Sequence, residues 1–470
     1  LGFHNIGAGT APSVSSNDTY KTGDALMGRL FYSFKDKYML TASVRRDGYS
    51  AFGQMNPRAT FPAVALGWVF TSEKFMEKTS AWLDYGKLRF SWGQNGNRDI
   101  GQYEALAQLN SGAYTYVDPN GNVYLTSQVY INRMPNSQLK WERTESYNIG
   151  LDFSLFGDKL SGSVETYMAE SNDLLVNRSL PSILGYASVM ANLGALTNRG
   201  FELSLNGAIM QTASGFNWDA QAHFSLNRSK ILELTEGVTV YDIKTVDVLQ
   251  IAATEGGKYG DIYGQKFVRH NGQVVVGEDG LPLITTDKEL IGNQNPDWML
   301  GLTNNFSYKG FDLSFLIDFR IGGEISLHKN GNAAGTVVNG DRADFVVPNS
   351  IMKKGDEYVK NDVAVTPQRY WERIASSGNY GLPEVFTYDA TNIRLRNITL
   401  GYTFNKNLLK KTPFQKLRLS ATCNNVWMIV SHLPGIDPES VAATNTNAVG
   451  FENGGAPTNR SYTFNLTVGF

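Results

Sequence analysis

Between Tyr147 and Leu155 every second residue is apolar (Tyr147, Ile149, Leu151, Phe153, Leu155), while Asn148, Gly150, Asp152 and Ser154 between them are polar or tiny. A period of two marks a strand with one face in an apolar medium and the other in water, because successive side chains leave opposite sides of the pleat. After Gly157-Asp158-Lys159 the alternation resumes, with Leu160, Gly162, Val164, Thr166 and Met168 set against Ser161, Ser163, Glu165 and Tyr167. The reading is a hairpin of two long strands within residues 140–175. An apolar row from 147 to 155, at about 3.3 Å per residue and a tilt near 45°, reaches roughly 21 Å, close to the ~25 Å band of a membrane barrel. Soluble strands commonly stop at about five or six residues. The stretch predicts an all-β fold, a transmembrane antiparallel barrel.

Composition agrees with alternation. The chain of 470 residues is 12% aromatic, with 47 Gly and 23 Tyr, yet its mean hydropathy is -0.26. No run of 18 or more apolar residues occurs, so a bilayer is crossed by closed strands or not at all. A net charge of -2 without a long basic run gives no reason to expect nucleic acid as a partner. The single cysteine, Cys423, excludes an internal disulfide and falls in the apolar register of a strand, which predicts a small buried hydrophobe rather than a reactive thiol. The opening residues lack the charged and apolar regions of a signal peptide, which implies either a cytoplasmic chain or an N-terminus lying upstream.

Strand candidates follow in pairs. Leu26, Leu30, Tyr32 and Phe34 pass through Lys35-Asp36-Lys37 into Tyr38, Leu40, Ala42 and Val44. Val64, Leu66, Trp68 and Phe70 precede a segment read as a short helix capped by Ser72, and Leu88, Phe90 and Trp92 follow. Residues 95–138 read as a long loop. Beyond the central hairpin, Phe201, Leu203, Leu205 and Ile209 turn into Phe216, Trp218, Ala220, Ala222, Phe224 and Leu226; residues 231–297 form a longer excursion. Leu300, Leu302, Phe306 and Tyr308 lead through Lys309-Gly310 into Phe311, Leu313, Phe315, Ile317, Phe319 and Ile321. After a loop from about 327 to 387 come Ile398, Leu400, Tyr402 and Phe404, with a register break near Arg396-Asn397 that predicts a bulge. Leu417, Leu419, Ala421 and Cys423, then Tyr462, Phe464, Leu466, Val468 and Phe470, complete thirteen strands. Short turns and long loops are expected to alternate strictly, sorting them to opposite sides of a membrane.

The faces also sort by charge. A mid-bilayer Arg or Lys on the lipid face costs about 2–4 kcal/mol, and the apolar rows beginning at Tyr147, Phe201, Phe311 and Tyr462 carry none. Asp152, Glu202, Asp312, Asp318 and Arg320 occupy the alternate face. A wet lumen accounts for that face, and its charges are expected to pair across the wall.

Seven ordered motifs, "YSFKDKYMLTASVRRDGYSAFG", "FPAVALGWVFTSEKFM", "LDYGKLRFSWGQNGN", "LKWERTESYNIGLDFSLFGDKLSGSVETY", "NLGALTNRGFELSL", "YDATNIRLRNITLGYTF" and the closing "SYTFNLTVGF", resemble the SusC/RagA family of TonB-dependent outer-membrane transporters. The resemblance covers nearly the whole chain and matches the C-terminal half of such a protein. It implies a 22-stranded barrel around an N-terminal plug, of which residues 1–470 supply the tenth to the twenty-second strands. Signal peptide, plug, TonB-contacting segment and nine strands are then expected outside this sequence. It further implies active import of oligosaccharides or peptides across a Gram-negative outer membrane, with a SusD-like surface lipoprotein as lid and TonB acting through the plug. An odd strand count fits this expectation, since single-chain bacterial barrels have even numbers. Tyr462, Phe464, Leu466, Val468 and Phe470 look like the signal read by the barrel-assembly machinery.

No catalytic pattern emerges. His4, His223, His270, His328 and His432 are scattered, without H-E-x-x-H, G-x-S-x-G, a Walker loop or C-x-x-C. The expectation is a protein that is not an enzyme and needs no cofactor. Glu278-Asp279-Gly280 has the look of a calcium loop but lacks alternating oxygen ligands, and Asp-Gly is first a turn signal. Candidate cargo contacts are loop aromatics: Tyr114, Tyr116, Tyr124, Tyr263, Tyr370 and Trp371, with Tyr130, Tyr259 and Tyr380 behind them. Their faces suit stacking on sugars or peptide side chains, although such residues more often pin loops together. The rival readings are a structural or adhesive barrel that transports nothing, and an outer-membrane hydrolase whose Ser, His and Asp converge in space.

Overall fold

The computed structural model describes residues 18, 20–234, 238–327, 343–375, 381–441, 447–452 and 454–470. Thirteen strands form one antiparallel sheet in which each pairs with its successor in sequence. They are β1 (Gly23–Phe34), β2 (Tyr38–Tyr49), β3 (Arg58–Val69), β4 (Leu83–Asn97), β5 (Glu142–Leu155), β6 (Leu160–Asn172) and β7 (Ala195–Gln211), followed by β8 (Asn217–Glu233), β9 (Trp298–Tyr308), β10 (Phe311–Ile321), β11 (Asn392–Thr403), β12 (Lys416–Ser431) and β13 (Ser461–Gly469).

Registers keep the apolar rows together. Across β5 and β6, Tyr147 faces Met168, Ile149 faces Thr166, Leu151 faces Val164 and Leu155 faces Leu160. These rows do not meet one another across a dry interior: Ile149 is 51% exposed, Phe311 56% and Leu400 55%. The expected bulge is present between Leu395 and Asn397, and it shifts the outward row of β11 from Ile393 and Leu395 to Ile398, Leu400 and Tyr402. A second bulge between Ala208 and Met210 takes Ile209 out of the pairing that sequence alternation gives it. Cys423, opposite Tyr462 on the outward row, is half-buried rather than buried.

The tight turns are built as their residues require. Lys35 and Asp36 adopt φ of 52° and 54° in a three-residue connection where Lys37 N–H donates to the Phe34 carbonyl at 3.1 Å, and Lys309 and Gly310 adopt 46° and 91°, the left-handed pair of a two-residue hairpin. Two expectations fail at this end. The segment after β3 is not a Ser72-capped helix but two 3-10 turns, Phe70–Ser72 and Lys74–Thr79, neither with a side-chain cap. Length sorting is not strict either, since the connection 70–82 is longer than 50–57 at the other end.

The long connections are folded rather than loose. Within 95–138, Gln108–Val117 and Val123–Met134 pair and extend to Ser188–Asn192 and Leu175–Ser179. Residues 231–297 contribute a sheet of Val240–Val246, Leu249–Thr254, Tyr259–Gly264 and Glu289–Asn293. Between 327 and 387 lie the strands Ser350–Lys354 and Glu357–Lys360 and the helix Pro367–Ala375. Most of the deeply buried large side chains, among them Ile251, Ile262, Leu327, Ile374 and Phe386, belong to this loop layer, while Ile231 lies near the loop end of β8.

Candidate functional site: the inner wall and a cleft under the loops

The alternate face of the wall is a lattice of charge pairs. Arg89 on β4 donates to both oxygens of Asp152 on β5, at 2.8 Å each, and to Glu165 on β6 at 2.7 Å. It crosses β5 over Gly150, where a Cβ would stand 2.9 Å from its Nη2. Arg418 on β12 reaches Asp312 on β10 at 2.6 Å in the same way, over Gly401 on β11. Glycine on the inner face leaves the room that a guanidinium needs to span three strands. Asp318 pairs with Arg396 at 2.7 Å, as expected of an inner-wall charge. Arg320 does not: its Nη2 donates to the Gln294 carbonyl at 3.3 Å, and no carboxylate lies within ion-pair reach among the described residues.

At the loop end, the wall grips the segment between β12 and β13. Arg394, buried in β11, donates to Asp437 at 2.5 Å and to Thr458 at 2.8 Å, and Arg396 donates to both oxygens of Glu439. Burial pushes the Asp437 carboxyl up, but the Thr458 hydroxyl, Arg394 and two backbone N–H groups outweigh it and hold it at about 2. Glu439 is lowered by its hydrogen bonds from Arg396, against the opposing effect of burial. Farther along, the Gln294 side chain, 3% exposed, donates to the Asn447 carbonyl and accepts from Val449 and Gly450 N–H, tying the same segment to the loop sheet.

Where inner wall and loop layer meet there is a cleft of about 1230 Å³. Tyr167, Asn198, Glu202 and Asn227 line it from β6, β7 and β8, and Tyr241, Asp242 and Tyr259 from the loop sheet. Tyr167 lies over Gly200 and its hydroxyl donates to Asn227 at 3.3 Å, a third use of an inner-face glycine. Burial raises the hydroxyl pKa of Tyr241 and Tyr259. The charged lining is Glu142, Glu202, Asp242 and Arg178, and none of these four is in an ion pair among the described residues. The cleft presents amides, phenols and carboxylates, with Asp242 accepting from the Thr245 hydroxyl at 2.8 Å, beside apolar side chains that include Leu196, Ile231 and Trp298.

Of the aromatics singled out from sequence, Tyr259 lines this cleft. Tyr114, Tyr116, Tyr124 and Tyr130 are exposed on the hairpin 108–134, with Tyr116 and Tyr124 stacked at 5.2 Å. Tyr263 donates to Thr254 Oγ1 at 3.1 Å within the loop sheet. Tyr370 and Trp371 share the helix Pro367–Ala375, where Tyr370 packs edge-on against Phe345 at 5.3 Å and burial raises its pKa. These tyrosines are distributed over separate units of the loop layer instead of converging on one surface. Tyr380, His4 and His328 lie outside the described residues. Glu278-Asp279-Gly280 is a turn, with Gly280 N–H on the Gly277 carbonyl at 3.0 Å. Tyr462, Phe464 and Leu466 stand on β13, an end strand of the sheet, and Phe470 directly follows it; these four are 59–83% exposed, and Val468 is half-buried. Tyr167 and Tyr241 were not singled out by sequence. For Tyr167 the available signal is its place on the polar row opposite Gly200.

The model of the family described as TonB dependent receptor-like, beta-barrel matches residues 2–426. TonB-dependent receptor P39 of Formosa agariphila is 30% identical over 526 residues, covering 100% of this chain and 48% of its own length. TonB-dependent receptor SusC of Bacteroides thetaiotaomicron is 29% identical, covering 91% of this chain and 43% of its own length. Among solved structures, the RagAB peptide transporter superposes with a TM-score of 0.75 at 22% identity, over 95% of this chain and 47% of that one, which shows a shared fold. The chain spans about half the length of the curated relatives it matches. With its thirteen-stranded wall, outward apolar rows and charge-paired inner face, this chain belongs to the TonB-dependent receptor β-barrel family of the bacterial outer membrane.

Proposed function

We propose that the full-length protein imports oligosaccharides or peptides across the outer membrane in a TonB-dependent manner, and that residues 1–470 supply its C-terminal barrel wall. A plug and the remaining strands would complete the pore, TonB would act through the plug, and a SusD-like lipoprotein would cover the loop layer. One observation carries this reading: a cleft of about 1230 Å³, lined by both polar and apolar side chains, sits between the inner wall and the loops, on the wet face of a wall whose other face is apolar. A purely structural barrel has no need of a solute-sized cleft there. Glu142, Glu202 and Asp242, none of them in an ion pair among the described residues, favour neutral or cationic cargo over anionic cargo.

The test is growth of a deletion strain on a panel of neutral, cationic and anionic oligosaccharides and peptides. The account expects loss of growth on at least one non-anionic member, restored by the full-length gene only where TonB is present. Unchanged growth on every member, or rescue that persists without TonB, would overturn it. Purification of the full-length protein with its bound lipoprotein, followed by mass spectrometry of trapped solute, would identify partner and cargo together.

A further inference from the structure

The short-turn end of the wall carries a charge that import does not use. Its connections are 35–37, 70–82, 156–159, 212–216, 309–310 and 404–415. Lys35 and Lys37 flank Asp36, and Lys74 and Lys78 alternate with Glu73 and Glu77. Lys159 follows Asp158, Lys309 tips its hairpin, and Lys406, Lys410 and Lys411 crowd the last connection. Nine lysines thus stand against four carboxylates, with no arginine or histidine among them. At the opposite end the balance is reversed: connection 234–297 has ten carboxylates against five Lys or Arg, and the longer 322–391 has nine against seven. Charge is polarised along the strand axis.

These lysines are available. All but Lys37 are exposed, and Lys37, with Glu73 at 3.5 Å, makes the one ion pair formed by this set among the described residues. They also alternate with exposed apolar groups: Phe75 is 68% and Leu408 65% exposed, and Trp82 and Phe156 are exposed beside them. Lys35 Nζ lies 5.3 Å from the Phe34 ring centroid and Lys309 Nζ 5.0 Å from that of Tyr308. Rings at the level of a bilayer interface, with ammonium groups on flexible stems beside them, match a phosphate-bearing lipid surface: the rings enter the headgroup layer and the stems bring charge to the phosphates. Lysine, a compact hydrated charge without a fixed fork, suits mobile phosphodiesters better than one bidentate site.

We propose that this rim binds anionic phosphoglyceride headgroups, phosphatidylglycerol in particular, in the leaflet at the short-turn end. Short turns face the periplasm in outer-membrane barrels, so the leaflet is the inner one.

The experiment measures retention of phosphatidylglycerol against phosphatidylcholine by the purified full-length receptor, using spin-labelled lipids at low and high salt. The wild type is expected to prefer phosphatidylglycerol, and the preference to shrink as salt screens it. Lys406→Gln, Lys410→Gln and Lys411→Gln together should weaken it, at roughly fivefold per surface lysine, while the corresponding triple Lys→Arg variant should retain it. Gel migration of unheated samples reports that each barrel is folded. Equal retention of the two lipids by folded wild type, or a preference that survives Gln at all nine positions, would overturn the proposal. Cargo plays no part in this readout, so failure here is separate from failure of the import reading.

Discussion

The wall and the loop layer above it are both β-sheet, yet they bury their apolar residues in opposite ways. In the wall, Ile149, Phe311 and Leu400 point outward and remain half or more exposed; in the loop layer, Ile251 and Ile262 are at 0% exposure in a cluster with Leu249, Ala448 and Phe451. The wall therefore draws its apolar contacts from lipid, while the layer needs a dry core of its own. One substitution type should have different consequences in the two regions.

The largest effect is expected in the layer. Ile251→Ala leaves a cavity in a closed core, and a loss of about 2–5 kcal/mol follows from such truncations. Hydrogen exchange should show faster opening of residues 240–293 while the wall keeps its gel migration. In the wall, Leu151→Arg places a charge on the lipid face and should cost about 2–4 kcal/mol, whereas Ser163→Arg on the inner face should be tolerated. Refolding titrations into lipid vesicles measure both, and equal penalties would remove the distinction between faces.

The joint between the two regions should be pH-sensitive. Asp437 is held at about 2 in the folded protein against an ordinary 3.8, by Thr458, Arg394 and backbone N–H groups that together outweigh its burial. A lowered carboxyl stabilises the docked segment above its ordinary pKa and loses that contribution as pH falls toward the folded value, here between about 4 and 2, an effect on the order of 2 kcal/mol. Proteolysis of residues 432–460 at graded pH should accelerate across that window in the wild type and lose this dependence in Asp437→Asn. The smallest expected effect is Tyr124→Ala, which removes a stacked cross-strand pair worth about 0.5–1 kcal/mol. It should loosen the hairpin 108–134 in hydrogen exchange; if uptake falls far more than that loosening accounts for, Tyr124 touches cargo.

The same contrast explains what could be read in the sequence. Wall strands are long, consecutive and two-faced, so period two gave all thirteen, and the broken alternation at Arg396-Asn397 marked the bulge between Leu395 and Asn397. The layer's strands are short and pair over long separations, as Val274 does with Ser350 and Ser326 with Phe451. Val274, Val275 and Val276 form a continuous apolar run that carries no period. Ion pairing was legible only in kind: Asp318 met a wall partner, Arg320 did not, and the register that sets Gly150 between Arg89 and Glu165 appears only once strands are aligned. The cleft draws on residues from 97 to 447, and no local motif announces it.

The central claim is that adjacent residues of one wall strand meet different media. Nitroxide labels placed singly from Asn148 to Phe153 in the full-length receptor, with Cys423 replaced by serine and the protein in lipid, test it most directly. Oxygen, which concentrates in the bilayer, should relax labels at Ile149, Leu151 and Phe153, and a water-soluble nickel chelate should relax those at Asn148, Gly150 and Asp152. Labels shielded from both reagents at Ile149, Leu151 and Phe153, or accessibility without a two-residue period, would contradict the account.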